Sequence, residues 1–216
     1  SHILAQAVKR LYPNTKLGIG PAIENGFYYD FRVEKPFSEE DIAKIEEEMK
    51  KIVKEDLPLE RSVLSREEAI KLMEEKEEPY KVQLIKELPE GETISFFKQG
   101  EFIDLCAGPH INRTGKIKAI KLLTTSAAYW KGDQENDSMQ RIYGVSFLKA
   151  SQLEEHLRFL EEAKQRDHRK IGKELELFMT HELVGSGLPM YLPNGATIRR
   201  ILERYIPVSY THLRAH

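Results

Sequence analysis

The sequence predicts an α+β protein. Apolar residues recur at helical spacing at its start and again after Ser38 and after Ser65, short alternating segments read as strands, and Asn25-Gly26 joins two of those strands as a hairpin. Strands interleaved irregularly with helices favour this class over a doubly wound sheet.

In the first helix Ile3, Leu4, Ala7, Val8 and Leu11 share one face, Pro13 stops further winding, and His2 stands at the start. Strands follow from Leu17 to Ile23 and from Phe27 to Val33, with Asn25-Gly26 at the turn because that dipeptide tolerates positive φ. In the second strand Phe27, Tyr29, Phe31 and Val33 lie on one face, and Tyr28, Asp30 and Arg32 on the other. Ser38 with Asp41 is a capping box opening a helix whose inner face is Ile42, Ile45, Met49, Ile52 and Val53; its Glu and Lys residues solvate the outer face. Ser65 with Glu68 opens another helix through Met73, and Tyr80 to Leu88 forms a shorter one. Further strands are expected at Thr93 to Phe97, Phe102 to Leu105, Ala119 to Thr125 and Met139 to Phe147. From about Ser151 one long helix, with Leu153, Leu157, Leu160 and Ala163 inward, runs into the Lys164 to Lys173 stretch, and a boundary falls there.

Composition limits the function classes. At 216 residues and 40% hydrophobic content the chain can bury a core of one large domain, or one domain and part of another. A single cysteine excludes an intrachain disulfide and fits a reducing compartment. With no apolar run near the ~20 residues that cross a bilayer, and no signal-peptide pattern, the expected setting is the cytosol and no membrane partner is expected. Lys and Arg number 33 against 35 Asp and Glu, so a nucleic-acid partner must be met by local patches. Two such patches are Lys116, Lys118 and Lys121, and Arg166, Arg169, Lys170 and Lys173; the second is equally a solvated helix end favoured by the dipole.

The segment Phe102 to His110 carries the densest chemistry. It holds the only cysteine, Cys106, with Asp104 two residues before, His110 four after, and Gly108-Pro109 marking a loop. A Cys and a His presented from one loop can share a metal, a proton or a substrate. A thiol hydrolase would also need an oxyanion loop and an orienting third residue, and neither is evident in the sequence.

Seven blocks then stand in one order: Ser1 to Pro13, Gly18 to Asp30, Pro79-Tyr-Lys81, Asp104-Leu-Cys-Ala-Gly-Pro-His110, Ala128-Tyr-Trp-Lys-Gly-Asp133, Gln140-Arg-Ile-Tyr-Gly144 and Arg166 to Lys173. In this order they resemble bacterial threonyl-tRNA synthetase, over roughly residues 1 to 206. The resemblance implies an editing domain at 1–148, of mixed or antiparallel sheet with packed helices, of the kind shared with alanyl-tRNA synthetase. It further implies a linker helix at 149–173 and the start of a class II catalytic domain at 174–206. Residues 207–216 depart from the family and read as a non-native tail; Pro207 is expected to interrupt the helix there, and His212 and His216 receive no functional weight.

The resemblance also implies the chemistry. Threonine exceeds serine by one methyl, which supports only ~10 to 200-fold discrimination, so a second site hydrolyses seryl-tRNA(Thr). His2 and His110 are the expected water-activating groups, Lys81 serves the oxyanion or the leaving group, and Asp104 holds the serine ammonium, with Cys106 beside them. Gly20 and Tyr29 are expected in the pocket wall. In the family a second histidine lies four residues before the His2 position, which falls three residues before Ser1. The editing site is expected to need no cofactor, although His2, Cys106 and His110 are also a plausible zinc triad of the alanyl type. ATP and zinc belong to the full-length catalytic domain, so ATP-dependent threonylation is not expected of this stretch; the full-length enzyme is expected to be a homodimer acting on tRNA(Thr). The alternative is a non-catalytic tRNA-binding module that uses the two basic patches.

Overall fold

The computed structural model of the chain describes the backbone of residues 1–185 and 187–214, with side chains up to residue 210. Contacts divide the chain into two compact units, Ser1–Glu154 and Glu155–His216. The described residues form an α+β protein with seven α-helices and antiparallel sheets.

In the first unit α1 (His2–Leu11) and α2 (Glu39–Glu55) pack on a five-stranded sheet of order β1-β3-β8-β7, with β2 also paired to β3. These strands are β1 (Lys16–Leu17), β2 (Ala22–Ile23), β3 (Gly26–Arg32), β7 (Ala119–Tyr129) and β8 (Ser138–Phe147). Leu4, Ala7 and Val8 from α1, Ile45, Met49 and Ile52 from α2, and Phe27, Phe31, Leu122 and Ile142 from the sheet make the main core. Leu11, expected inward, is 39% exposed, because the helix ends there and the chain turns away at Tyr12. Both capping boxes form: Ser38 opens α2, and Ser65 opens α3 (Arg66–Glu75).

A second sheet of order β4-β5-β6 is built from β4 (Leu59–Leu64), β5 (Ile94–Gln99) and β6 (Phe102–Leu105). It packs on α3 and α4 (Pro79–Glu87) through Ala69, Met73, Val82, Ile85, Ile94 and Phe96. Strand β6 serves both cores. Phe102 joins the main core while Ile103 and Leu105 face the second, so the two-residue period turns Asp104 towards α1 and β3. Helix α4 is also tied to the β7–β8 connection, where Trp130 Nε1 donates to Gln83 at 2.8 Å and Tyr80 OH to Asp137 at 2.6 Å.

The structure corrects several expectations. The hairpin turn is Glu24-Asn25, with Ile23 paired to Gly26; Gly26 is the first residue of β3. At φ +140° any Cβ on Gly26 would collide with the Gly144 carbonyl, so glycine permits the close approach of β3 to β8. The first strand is interrupted between Leu17 and Ala22, although Gly18 N still donates to Asp30 O at 2.8 Å. Strand β4 was not expected, because four of its six residues are exposed and its polar centre carries little apolar alternation.

The expected long helix is two. Helix α5 (Ala150–Gln165) ends where Asp167 takes over as N-cap of α6 (His168–Glu174), its side chain accepting from Arg169 N at 2.8 Å. Leu153, Leu157 and Leu160 are half-buried and Ala163 is exposed. In the second unit β9 (Phe178–Met179) pairs with β10 (Met190–Tyr191), and α7 (Pro193–Arg214) follows. Pro207 sits inside α7 without ending it; a proline costs a helix one hydrogen bond and a local clash, and here the winding continues. The side chain of His212 and all of His216 lie outside the described residues.

Replacing Ser38 with Ala removes one half of a capping box whose side chain accepts from Asp41 N. Chemical denaturation is expected to show a loss of about 1 kcal/mol, with the midpoint moved and the slope unchanged.

Candidate functional site

The site is built around a buried carboxylate. Asp104, 2% exposed on β6, receives Tyr29 OH on Oδ2 at 2.6 Å, and Lys81 Nζ stands 2.6 Å from its Oδ1. His2 Nε2 lies 3.5 Å from Oδ2. Each partner arrives on a different element: Tyr29 from the inward face of β3, Lys81 from the first turn of α4, and His2 from the first residue of α1. Lys81 is itself 3% exposed, so the pair is an ion pair out of water, and Nζ lies 5.4 Å from the Tyr29 ring centre.

The loop after β6 supplies the other side. The His110 ring stacks on His2 with centroids 4.6 Å apart, and on Phe97 at 3.8 Å. Cys106 is half-buried and held by both backbone atoms: its N donates to Ser95 O at 3.0 Å, and its O accepts from Ser95 Oγ at 2.7 Å. Gly20 closes the wall behind Tyr29, where a Cβ would overlap the tyrosine ring. His2, Tyr29, Lys81, Asp104, Cys106, His110 and Gly20 are therefore brought to one place, although no two of their supporting elements, β6 and its loop apart, are adjacent in sequence.

Electrostatics assign protonation states. Burial lowers the His2 value from 6.5 to about 4, against the opposing pull of Asp104, so the imidazole is neutral at neutral pH. Burial also lowers His110. For Asp104 burial pushes upward, but the Lys81 charge, the His2 charge once acid protonates that ring, and the hydrogen bonds from Lys81 and Tyr29 outweigh it, and the net direction is down. Tyr29 is driven well above the ordinary phenol value by burial and by the neighbouring carboxylate, which keeps its proton on as a donor. Two neutral imidazoles thus stand beside a buried ion pair, an arrangement able to deprotonate water near an acyl carbonyl.

His2, Cys106 and His110 also offer donor atoms within 4.8 Å of one another. Two imidazoles and a thiol are zinc-ligand types, and they stand close enough together to be candidates for one ion. Sequence reading missed Phe97 and Ser95, which orient His110 and Cys106; both read only as strand residues, and their pairing depends on the β5–β6 register.

Residues 94–143 match the model of the threonyl and alanyl tRNA synthetase second additional domain. That range includes Asp104, Cys106 and His110 but not His2, Tyr29 or Lys81. The chain is 66% identical over 205 residues to a threonine–tRNA ligase of Acetivibrio thermocellus, covering 95% of the chain and 32% of the relative. The corresponding ligases of Caldanaerobacter subterraneus and Clostridium tetani are 65% and 63% identical over the same coverage. The chain belongs to the aminoacyl-tRNA synthetases. Within them its family is that of bacterial threonine–tRNA ligase, and it spans about a third of the length of the curated relatives it matches.

The site sets a pH dependence. An unfolded chain takes up the His2 proton near 6.5 while the folded chain resists it to about 4, so stability falls as pH drops through that window and levels off below it. The full displacement corresponds to about 3 kcal/mol. Denaturation midpoints measured between pH 7.5 and 4 should show this decline, and His2→Gln should flatten it; an equal slope in both proteins would exclude His2 as the cause.

Proposed function

We propose that residues 1–148 form a hydrolytic editing site that releases serine from seryl-tRNA(Thr). The observation carrying this reading is the meeting of His2, Lys81, Asp104, Cys106 and His110, from α1, α4 and β6 with its loop, around one buried carboxylate. Water loses a proton to neutral His2 or His110 as it attacks the ester carbonyl. Lys81 stabilises the oxyanion, and the ester C–O bond breaks with a proton delivered to the ribose oxygen, leaving serine and free tRNA. Both Asp104 oxygens are engaged by Lys81 and Tyr29. A substrate ammonium binding Asp104 would exchange for the Lys81 contact and turn Nζ towards the carbonyl. No resident metal is needed for these steps. Were zinc present, His2, Cys106 and His110 would hold it, and it would supply Lewis-acid activation of water.

The remaining assignments belong to the same reading: 149–173 as linker, here α5 and α6, 174–206 as the start of the catalytic domain, and 207–216 as a tail outside the family pattern. ATP-dependent threonylation, with its ATP and zinc, and a homodimer are proposed for the relatives' full length, in the cytoplasm. The tRNA acceptor end would be met by basic groups around an open groove between α2 and the start of β7, lined by Lys54, Lys116 and Lys118. A purely tRNA-binding module is less well supported, since Lys121 is paired with Glu46 at 3.1 Å and Arg169 with Asp167 at 3.0 Å.

Serine release from seryl-tRNA(Thr) should fall by at least ~100-fold in Lys81→Ala and in His110→Ala. Release indifferent to both substitutions, with tRNA still bound, would replace the editing reading with the binding-module one. The logarithm of the tRNA affinity should decline linearly with log[salt], and Lys116→Glu with Lys118→Glu should shrink the slope.

A further inference from the structure

Glu78 is a buried carboxylate that the hydrolytic steps do not use. It is 3% exposed and stands three residues before Lys81, as the N-cap residue of α4. Its Oε2 accepts from Leu17 N at 2.7 Å, and its Oε1 lies 2.8 Å from Lys9 Nζ. Lys9 is fully committed, since Nζ also donates to Pro13 O and Thr15 O, each at 3.0 Å. The Glu78 carbonyl in turn accepts from Lys81 N and Val82 N, both at 3.1 Å, and its own N donates to Met73 O at 2.9 Å. Glu78 therefore ties the first turn of α4 to α3, to β1 and to α1, and Lys9 extends the tie to the loop after α1.

The partner helix matters. His2 and Lys9 lie seven residues apart on α1, two turns, so one face of this helix presents the imidazole to Asp104 at one end and the ammonium to Glu78 about 10 Å along. The Glu78–Lys9 pair thus fixes how far α4 stands from α1, and with it how Lys81 stands relative to His2 across Asp104.

We propose that Glu78 is a positioning residue for Lys81, acting through the Lys9–Glu78–Leu17 clamp to hold Nζ in register with Asp104 and His2. This rests on the editing reading. It assigns Glu78 no contact with substrate.

The test is a double-mutant cycle on single-turnover serine release from seryl-tRNA(Thr), run with the whole chain. Glu78→Gln keeps the side-chain shape and removes the charge; it should lower kcat about 10-fold or more while KM moves less than about two-fold. Combined with Lys81→Ala, it should add little to the loss that Lys81→Ala causes alone, because a group acting through Lys81 has nothing left to position. A merely structural role would multiply the two losses. Lys9→Gln, at a side chain 24% exposed, breaks the same clamp from the other partner and serves if Glu78→Gln unfolds, as judged by circular dichroism. It should reproduce both the kcat effect and its disappearance in the Lys81→Ala background. Full kcat in Glu78→Gln or Lys9→Gln, or fully multiplicative losses, would overturn the positioning role while leaving the editing site intact. A Lys81→Ala protein that releases serine normally would overturn both.

Discussion

Burying Asp104 is the constraint on which the first unit turns. A carboxylate taken out of water costs several kcal/mol unless its oxygens are paired, and at 2% exposure Asp104 has no solvent to fall back on. Tyr29, Lys81 and His2 meet that demand, which means that β3, α4 and α1 must all be docked before the charge is stable. The pair is thus a weak source of net stability and a strong source of specificity, because any register that displaces one partner strands a buried charge.

The two-residue period of β6 connects this constraint to the fold. Phe102 and Asp104 point to the α1 side, Ile103 and Leu105 to the α3 and α4 side, so one four-residue strand seals both cores. A slip of one residue would exchange Asp104 for an apolar side chain and put its charge among Met73, Ile85 and Phe96. The pairing of Phe97 with Asp104 fixes the register, and the same Phe97 carries the His110 ring, so strand pairing and imidazole placement are one event.

Much of this was legible in the sequence where a local rule governs. Both capping boxes, the α1 face and the β6 limits follow from short patterns with strong physical causes. Strand β4 was not legible, since it owes its existence to hydrogen bonds with β5 and little to its own apolar content. The break at Asp167 was missed because charged residues suit either a continuing helix or a new cap, and only the Arg169 N contact distinguishes them. At the site the loop residues Cys106 and His110 stood out locally. His2, Tyr29, Lys81 and Gly20 came from the family resemblance, and their juxtaposition is a property of packing across 109 residues that no periodicity encodes. Glu78 carried no signal beyond its place before Pro79.

Charge balance gives the arrangement its chemical sense under the proposed reaction. Asp104 and Lys81 cancel, and both imidazoles are held neutral by burial, so the cleft carries no net charge before substrate enters. An aminoacyl ester adds one positive charge through its ammonium. Attack by water then places a negative charge on the former carbonyl oxygen and a positive charge on the imidazole that takes the proton, so the net charge stays the same while a new ion pair forms inside the cleft. In a water-poor site Lys81 and the new imidazolium stabilise that oxyanion more than they stabilise the neutral carbonyl of the bound ester, which is the direction in which binding energy must be spent to raise kcat. A second cation fixed in the cleft would shift the balance one charge higher at every stage and weaken ammonium binding. Keeping His2 unprotonated by burial avoids that outcome, and it gives the depressed imidazole a second use beyond its role as a base.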